Sequence, residues 1–222
     1  MKKLLSLVLV IMLLTGCKLV DIDSQSYDEI VDEILNTNIS LANQSFNGYS
    51  YYLPKGVRLH KNLESNSILK YNRDRMFLYV DIVSFYHGVK GDFEVNPKAH
   101  FSKKINIGKK EGYVEITKIN DRYFIEYMYN YAKMEMFVQE REIKRTLTVM
   151  SYILNSVRYN RLVISSKIGE SGFSFNEESF NIFKPKREEG NYIDYHGEDY
   201  DKNFEDVRDE DKVIDLDNIS ER

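Results

Sequence analysis

Two adjacent strand-like runs joined by two residues constrain the fold of this 222-residue chain more than any other feature. The runs Gly112–Ile119 and Arg122–Tyr131 are rich in aromatic and β-branched residues, which favour strands, and Asn120-Asp121 separates them. Because Asn and Asp tolerate the positive φ that a two-residue turn requires, the pattern predicts an antiparallel hairpin.

One face of the second strand is almost wholly aromatic. Its alternate positions are Tyr123, Ile125, Tyr127, Tyr129 and Tyr131. An exposed row of this kind would be a platform for carbohydrate or peptide, whereas a buried row packs beneath a helix. We predict the buried arrangement, because the apolar stripe of a later helix needs a partner.

Helices are predicted on both sides of the strand-rich region. Ser26 and Glu29 have the spacing of a capping box and predict an amphipathic helix over residues 26–37. A second helix is predicted within Gln139–Tyr159, where apolar residues recur every three or four positions. That stripe consists of Ile143, Leu147, Met150, Leu154 and Val157.

The remaining strand predictions complete the fold class. Strands are predicted at Tyr49–Leu53 and Val57–Lys61 around a Pro54-Lys55-Gly56 turn, at Ile68–Tyr71, as a central strand at Arg75–Tyr86, and briefly at Arg161–Ser165. Residues 88–100 contain two Gly and one Pro and predict a loop. The order is helix, antiparallel strands, helix, which predicts an α+β domain with helices against a sheet.

The N-terminal segment has the features of an export signal. Lys2 and Lys3 precede an apolar run, Leu4–Leu14, that is interrupted only by Ser6. Eleven residues are too few for a membrane-spanning helix, which needs about 20. The sequence Leu14-Thr15-Gly16-Cys17 that follows resembles the lipobox of bacterial lipoproteins.

That resemblance implies cleavage between Gly16 and Cys17 and attachment of diacylglyceryl and palmitate chains to Cys17. Residues 1–16 would be the signal peptide and residues 17–25 a tether, with the protein on the extracytoplasmic face of the cell membrane. Two acyl chains anchor firmly, since each buried methylene contributes about 0.8 kcal/mol. The alternative is an ordinary secretory signal that carries a cysteine by chance.

Cys17 is the only cysteine of the chain. If lipid occupies it, no disulfide can form in the mature protein, and stability must come from a packed core. The body, residues 26–185, is long enough for one α+β domain. We expect residues 170–185 to pack as its extension, since they contain four phenylalanines: Phe173, Phe175, Phe180 and Phe183.

Charge is concentrated at the C-terminus. Residues 186–222 hold fourteen Asp and Glu against six Lys and Arg, and we predict an acidic, largely disordered tail. The rest of the chain has no concentrated basic face, which excludes a nucleic-acid partner.

The body has a weaker resemblance to the PsbP/Mog1/DcrB-like fold. It is carried by the Tyr-Leu-Pro-Lys-Gly entry at 52–56, the hairpin and the closing helix, and covers about residues 45–160. The members of that fold are mostly binding or assembly factors, so the resemblance implies no catalytic residue and no cofactor here.

A search for catalytic and zinc motifs finds none. No histidine has a second His or Cys at zinc-ligand spacing; the four are His60, His87, His100 and His196. Residues 169–173 nearly match a nucleophile elbow, but Phe173 replaces the final glycine and no strand–turn–helix pattern surrounds them.

Two charge patterns offer weaker ligand hypotheses. The tail matches five calcium-loop positions with Asp199, Asp201, Asn203, Glu205 and Glu210, although Phe204 stands where the loop needs glycine. Diffuse attraction of cations is the simpler expectation for so acidic a tail. A group of lysines could face anionic headgroups or wall polymer, but ordinary solvated lysines are favoured: Lys98, Lys103, Lys104, Lys109 and Lys110.

The sequence therefore predicts a lipid-anchored, extracytoplasmic, non-enzymatic binding or assembly module. Its expected partners are membrane lipid, through the N-terminal diacylglyceryl cysteine, and an envelope protein or polymer. Two alternatives stay open: an envelope hydrolase with a site assembled from distant residues, and a solute-binding lipoprotein. A pocket with convergent titratable groups would favour the hydrolase.

Overall fold

The computed structural model of the protein describes residues 21–63, 65–89 and 91–169. The helices are α1 (Tyr27–Leu35), α2 (Ile82–His87), α3 (Ile143–Ser156) and α4 (Arg161–Gly169). The strands are β1 (Gln44–Ser45), β2 (Tyr49–Tyr51), β3 (Val57–Leu63), β4 (Asn66–Tyr71), β5 (Asp74–Val80), β6 (Phe101–Ile107), β7 (Lys110–Ile119), β8 (Arg122–Tyr129), β9 (Ala132–Val138) and β10 (Arg158–Tyr159). The predicted α+β class is confirmed.

Several sequence predictions lie outside the described residues. They are the signal peptide with Gly16 and Cys17, the 170–185 extension, and the acidic tail with its five candidate calcium ligands.

Two antiparallel sheets organise the fold. The larger has seven strands in the order β3-β4-β5-β9-β8-β7-β6, and the smaller has three in the order β1-β2-β10. Neighbouring strands of the large sheet follow one another in sequence, except that β9 lies beside β5. The predicted strands at Tyr49, Val57, Ile68 and Gly112 are confirmed as β2, β3, β4 and β7.

The β7–β8 hairpin forms where it was predicted. Ile119 pairs with Arg122 across a two-residue turn, and Asn120 takes a φ of 52°. At the other end of the hairpin Gly112 faces Tyr129, and a Cβ built at Gly112 would lie 2.1 Å from the carbonyl oxygen of Met128. Since that contact is with backbone, only glycine lets the two strands approach this closely.

The second hairpin strand is shorter than predicted, and a further strand follows it. Asn130 and Tyr131 both have positive φ, 50° and 63°, so β8 ends at Tyr129 and turns directly into β9. The strands β6 and β9 go beyond the sequence predictions. In β6 two consecutive lysines, Lys103 and Lys104, and in β9 the alternate charges of Lys133 and Glu135 hid the strand character.

The predicted long strand over Arg75–Tyr86 is wrong in its second half. Strand β5 ends at Val80, and α2 begins at Ile82. Asp81 causes the change, because its Oδ1 accepts a hydrogen bond of 2.8 Å from the amide of Ser84 and caps the helix. Gly88, with a φ of 65°, ends α2 in the left-handed conformation. The predicted loop after it is confirmed.

The predicted strand at Arg161–Ser165 is also wrong, since these residues begin α4. Asn160 caps this helix, with its Oδ1 accepting from the amide of Val163 at 3.3 Å. The preceding helix, α3, is confirmed but spans only Ile143–Ser156, and Tyr159 lies in β10.

Helices α1 and α3 cover one face of the seven-stranded sheet, which we call the helix face. The capping box of α1 is present, with Ser26 and Glu29 bonded reciprocally at 3.2 and 2.7 Å. The whole predicted stripe of α3 is buried. Asn155 of α3 is buried too and donates to the carbonyls of Ile34 and Thr37, which joins the two helices.

Candidate functional site

The opposite face of the seven-stranded sheet, which we call the outer face, carries four buried charged side chains. Side chains alternate along a strand, so the residues between the helix-face positions of β7, β8 and β9 point outward. Glu115 pairs with Glu126, and Glu126 pairs with Glu135 on the next strand. Three carboxylates therefore lie in one row across neighbouring strands.

These carboxylates are buried together with one lysine. Glu115, Glu126 and Glu135 are 4%, 4% and 6% exposed, and Lys133 is 3% exposed. The Lys133 ammonium lies 2.9 Å from Oε1 of Glu126 and 2.7 Å from Oε1 of Glu135. Like charges directly opposite one another destabilise a sheet, so Lys133 is the group that makes this row tolerable.

Burial and neighbouring charges shift the pKa of Glu126 and of Lys133. Burial raises the pKa of Glu126, against the opposing pull of the Lys133 charge. Burial by itself would lower the pKa of Lys133, but the carboxylates of Glu126 and Glu135 outweigh it and the pKa is raised. Lys133 is thus a fixed ammonium at neutral pH and not an amine nucleophile, while Glu126 takes up a proton more readily than an ordinary glutamate.

The loop after α2 is hydrogen-bonded to Glu115 of this row. The Asn96 amide donates to Oε1 of Glu115 at 3.2 Å, and its backbone amide donates to Oγ of Ser102 at 2.9 Å. Phe93 stacks on Tyr113, with ring centroids 4.4 Å apart and planes 10° apart. Residues 91–100 therefore cover the β6–β7 side of the outer face.

Apolar groups flank the charged row on both sides along the strands. On one side Phe93, Tyr113 and Met128 form a small buried cluster. On the other side Phe124 and Phe137 contact each other across β8 and β9, with ring centroids 4.6 Å apart. The guanidinium of Arg122 lies 5.7 Å from the Phe137 ring. This face can exclude water around a paired charge. On its β6–β7 side the Ser102 hydroxyl lies 3.5 Å from Oε2 of Glu115.

A separate cleft of about 480 Å³ lies beyond the end of the large sheet. It is lined by Ser45, Phe46, Asn47, Asn62, Ser65, Ile82 and Lys167. Phe46 stacks against Tyr49 and Tyr51, at 5.2 and 5.6 Å. Amides, hydroxyls, one ring and one ammonium are groups that recognise small polar solutes.

The lysines that are close together in the sequence have different surroundings in the structure. Lys103 lies 3.0 Å from Asp28 and 2.7 Å from Asp32 of α1, so acidic partners hold it. Lys104 alternates with Lys103 on β6 and is exposed. Lys110 lies over the Tyr129 ring at 5.6 Å, and burial lowers its pKa. These lysines do not form one basic patch.

The tyrosine row packs in the core, as predicted, for all members but the last. Tyr123, Tyr127 and Tyr129 are buried on the helix face, and the Tyr127 hydroxyl accepts from Oγ of Ser151 on α3 at 3.1 Å. Tyr131 leaves the row because it lies in the β8–β9 turn, where it packs against Phe85.

The described histidines lie apart from one another. His60 is on the edge strand β3 and His87 ends α2. The His100 Nε2 lies 3.4 Å from the hydroxyl of Tyr27. Across residues 21–63, 65–89 and 91–169 no group of three or more His, Cys, Asp or Glu is arranged to hold a metal ion. The same residues include no helix long and apolar enough to cross a membrane.

Comparison with known proteins leaves the family open. No family model matches the chain, and no curated protein matches it. A partial structural similarity exists to a crystal structure from Bacteroides thetaiotaomicron, with a TM-score of 0.32 and 10% sequence identity. It covers 55% of this chain and 49% of the other, so the chain spans about half the length of that protein. A similarity this distant carries no argument about fold or function.

Proposed function

We propose that this protein is a lipid-anchored, extracytoplasmic lipoprotein whose α+β domain serves as a non-enzymatic binding or assembly module of the cell envelope. The lipobox-like Leu14-Thr15-Gly16-Cys17 sequence motivates the anchor. The observation that carries the proposal is that the chain already packs against the domain at Ile22 and Asp23, within six residues of Cys17.

The first residues that the structure describes, from Asp21 onward, are already in contact with the domain. Ile22–Ser24 form a short 3₁₀ turn, and Oδ1 of Asp21 accepts from the amide of Asp23 at 3.1 Å. The Lys144 ammonium of α3 donates to the carbonyl of Asp23 at 2.6 Å. The expected 17–25 tether is therefore hydrogen-bonded to α3 at Asp23. The chain from Cys17 to Ile22 spans at most about 17 Å at roughly 3.4 Å per residue, so a lipidated Cys17 would hold the start of α3 close to the bilayer.

This anchoring point sets which end of the sheet faces away from the membrane. Strand β9 ends at Val138, shortly before α3, whereas Ala132 at its other end pairs with Val80, the last residue of β5. Helix α2 begins directly after Val80, and the cleft with Ile82 and Lys167 lies there. The cleft would thus face away from the bilayer, where a binding module presents its recognition surface.

The anchor is tested by the intact mass of the mature N-terminus from membrane fractions. We expect the wild type to begin at a diacylglyceryl-modified Cys17, and Cys17→Ala to stay unprocessed or to leave the membrane. Ser24→Ala is the matched control, since it lies beyond the lipobox and should be processed normally. A wild-type chain cut elsewhere and released would overturn the proposal.

Recognition is tested by photo-crosslinking in cells from two exposed positions, Asn47 at the far end and Arg141 near the anchored end. We expect a residue-specific adduct with an envelope protein or polymer from position 47 and none with that partner from position 141. Equal capture from both positions, or from neither, would contradict recognition at the far end.

The cleft favours binding of a small polar solute as a second candidate function. Its volume of about 480 Å³ falls within the range of small-molecule sites. Amide chemical shifts would be followed while sugars and free amino acids are added to wild type, to Lys167→Ala and to the control Lys55→Ala. A ligand of the cleft should shift its lining residues in wild type and the control but bind more weakly to Lys167→Ala. If no compound shifts those residues, this second candidate fails.

A further inference from the structure

One ammonium group on the helix face has no anionic partner. Lys110 begins β7 and is half-buried, yet within the described chain no carboxylate lies in ion-pair range of its Nζ. The neighbouring Glu111 belongs to the outer face, since side chains alternate along a strand. The Tyr129 ring lies 5.6 Å from Nζ and offers the ammonium an aromatic face but no counter-charge. A partly desolvated cation of this kind is stabilised by any anion that reaches it.

The hydroxyl of Tyr129 has no hydrogen-bond partner either. Tyr129 lies opposite Gly112, which has no side chain, so Lys110 reaches the ring diagonally across the two strands. The tyrosine is 1% exposed, but no group among residues 21–63, 65–89 and 91–169 forms a hydrogen bond with its hydroxyl. Burial raises the pKa of Tyr129, so the hydroxyl keeps its proton at neutral pH and can donate a hydrogen bond.

A second cation, Arg158, lies near these two groups at the end of α3. Burial and then the Arg158 charge lower the pKa of Lys110, and the same charge opposes the rise in the pKa of Tyr129. Nη1 of Arg158 donates to the carbonyls of Asn155 and Val157 at 2.7 and 2.9 Å. Carbonyls at a helix end carry partial negative charge, so the Arg158 charge is already balanced in part, whereas that of Lys110 is not.

We propose that Lys110 and the Tyr129 hydroxyl, with Arg158 beside them, form a binding site for a single carboxylate group. One unbalanced ammonium suits a ligand with one negative charge, and the two oxygens of a carboxylate can accept from the ammonium and from the hydroxyl together. Arg158 adds attraction without a bidentate contact, because its Nη1 and Nη2 already donate to backbone carbonyls. None of these three residues lines the cleft, so this site is separate from the cleft and does not depend on the lipid anchor.

Binding is tested by amide and lysine side-chain NMR of the full-length protein in detergent, while sodium acetate replaces sodium chloride at constant ionic strength and pH 7. We expect saturable shifts at Lys110 and Tyr129 in wild type. Loss of the charge-assisted hydrogen bond should weaken binding about tenfold in Lys110→Met. Tyr129→Phe removes only the hydroxyl, so it should also weaken binding while leaving the urea midpoint unchanged. The control Lys104→Met removes an exposed lysine of β6 and should bind acetate as wild type does.

The source of the carboxylate is identified with a dipeptide that has a free C-terminus and with the same dipeptide as its amide. Binding of the free dipeptide but not of the amide would assign a peptide C-terminus, and binding of acetate alone would assign a small organic acid. Both results support the site. Equal binding of the amide, or tighter binding of inorganic phosphate than of acetate, would overturn the carboxylate assignment. Shifts that do not saturate, or that are equal in wild type and Lys110→Met, would mean an adventitious ion only and would overturn the site.

Discussion

Both faces of the seven-stranded sheet contain buried side chains on β8 and β9, but the two faces are stabilised in different ways. On the helix face, Ile125, Tyr127 and Met134 lie beneath α3 with their polar atoms few and bonded. On the outer face the same strands bury Glu126, Lys133 and Glu135 as an ion-pair group. Apolar burial tolerates small rearrangements, whereas buried charges are stabilising only as a complete set.

Removal of Lys133 from the outer face should cause the largest loss in the free energy of unfolding. Lys133→Met removes the ammonium that pairs with Glu126 and Glu135, and we expect a loss of about 3–5 kcal/mol in the free energy of unfolding. The measurement is urea unfolding at pH 7, with the exposed Lys104→Met as control. The loss should shrink at acidic pH, because a carboxyl whose pKa is raised in the folded state stabilises the fold only while it is protonated. A pH-independent loss would contradict the ion-pair account.

Truncation of a buried side chain on the helix face should lower the free energy of unfolding by about as much as Lys133→Met, or slightly less. Leu147→Ala removes a side chain that is fully buried between α3 and the sheet, and we expect a loss of about 2–5 kcal/mol. Unlike the loss in Lys133→Met, this one should be the same at pH 5 and pH 7. Strong pH dependence in Leu147→Ala would show that the two faces are coupled.

Loss of a buried amide on the helix face should have an intermediate effect. Asn155→Ala removes donors to the carbonyls of Ile34 and Thr37, although the Ile34 carbonyl keeps a bond of 3.1 Å from the amide of Thr37. We expect a loss of about 1–3 kcal/mol, with faster hydrogen exchange at the end of α1. The exposed Tyr152→Ala in the same helix is the control. Unchanged exchange in α1 would show that Asn155 does not join the helices in solution.

Neutralising Glu126 should have the smallest effect and reveals its titration. Because its folded-state pKa is raised, its contribution to stability is fully present below its unfolded pKa and is lost as the pH rises through the folded value. The wild type should therefore lose stability relative to Glu126→Gln as the pH is raised from about 4 to neutral. Parallel stability curves for the two proteins would refute the raised pKa.

The sequence predicts the helix face far better than the outer face. The stripe of α3, the capping box of Ser26 and Glu29, and the Asn120-Asp121 turn are local patterns, so they are visible in one stretch of chain. The Glu115–Glu126–Glu135 row depends on strand register, and β9 alternates charged with apolar residues in a way typical of a solvated strand. Only pairing with β8 shows that those charges are buried.

Where a local pattern failed, a single polar residue decided the outcome. Val83 and Phe85 favour a strand, but the Asp81 cap begins α2 in their place. Asn160 has the same effect on α4. The lysine group is split because Lys103 and Lys104 lie on opposite faces of β6, Lys110 begins β7, and Lys98 and Lys109 lie in turns, which spacing along the chain does not reveal.

The burial of sulfur has a consequence for chemical durability. Met76, Met128, Met134, Met136 and Met150 are all 2% exposed or less, and they are the only methionines among the described residues. Thioether oxidation requires access of the oxidant to sulfur, so peroxide reaches these side chains only when the fold opens. The rate of methionine sulfoxide formation in peroxide therefore reports how often the domain opens.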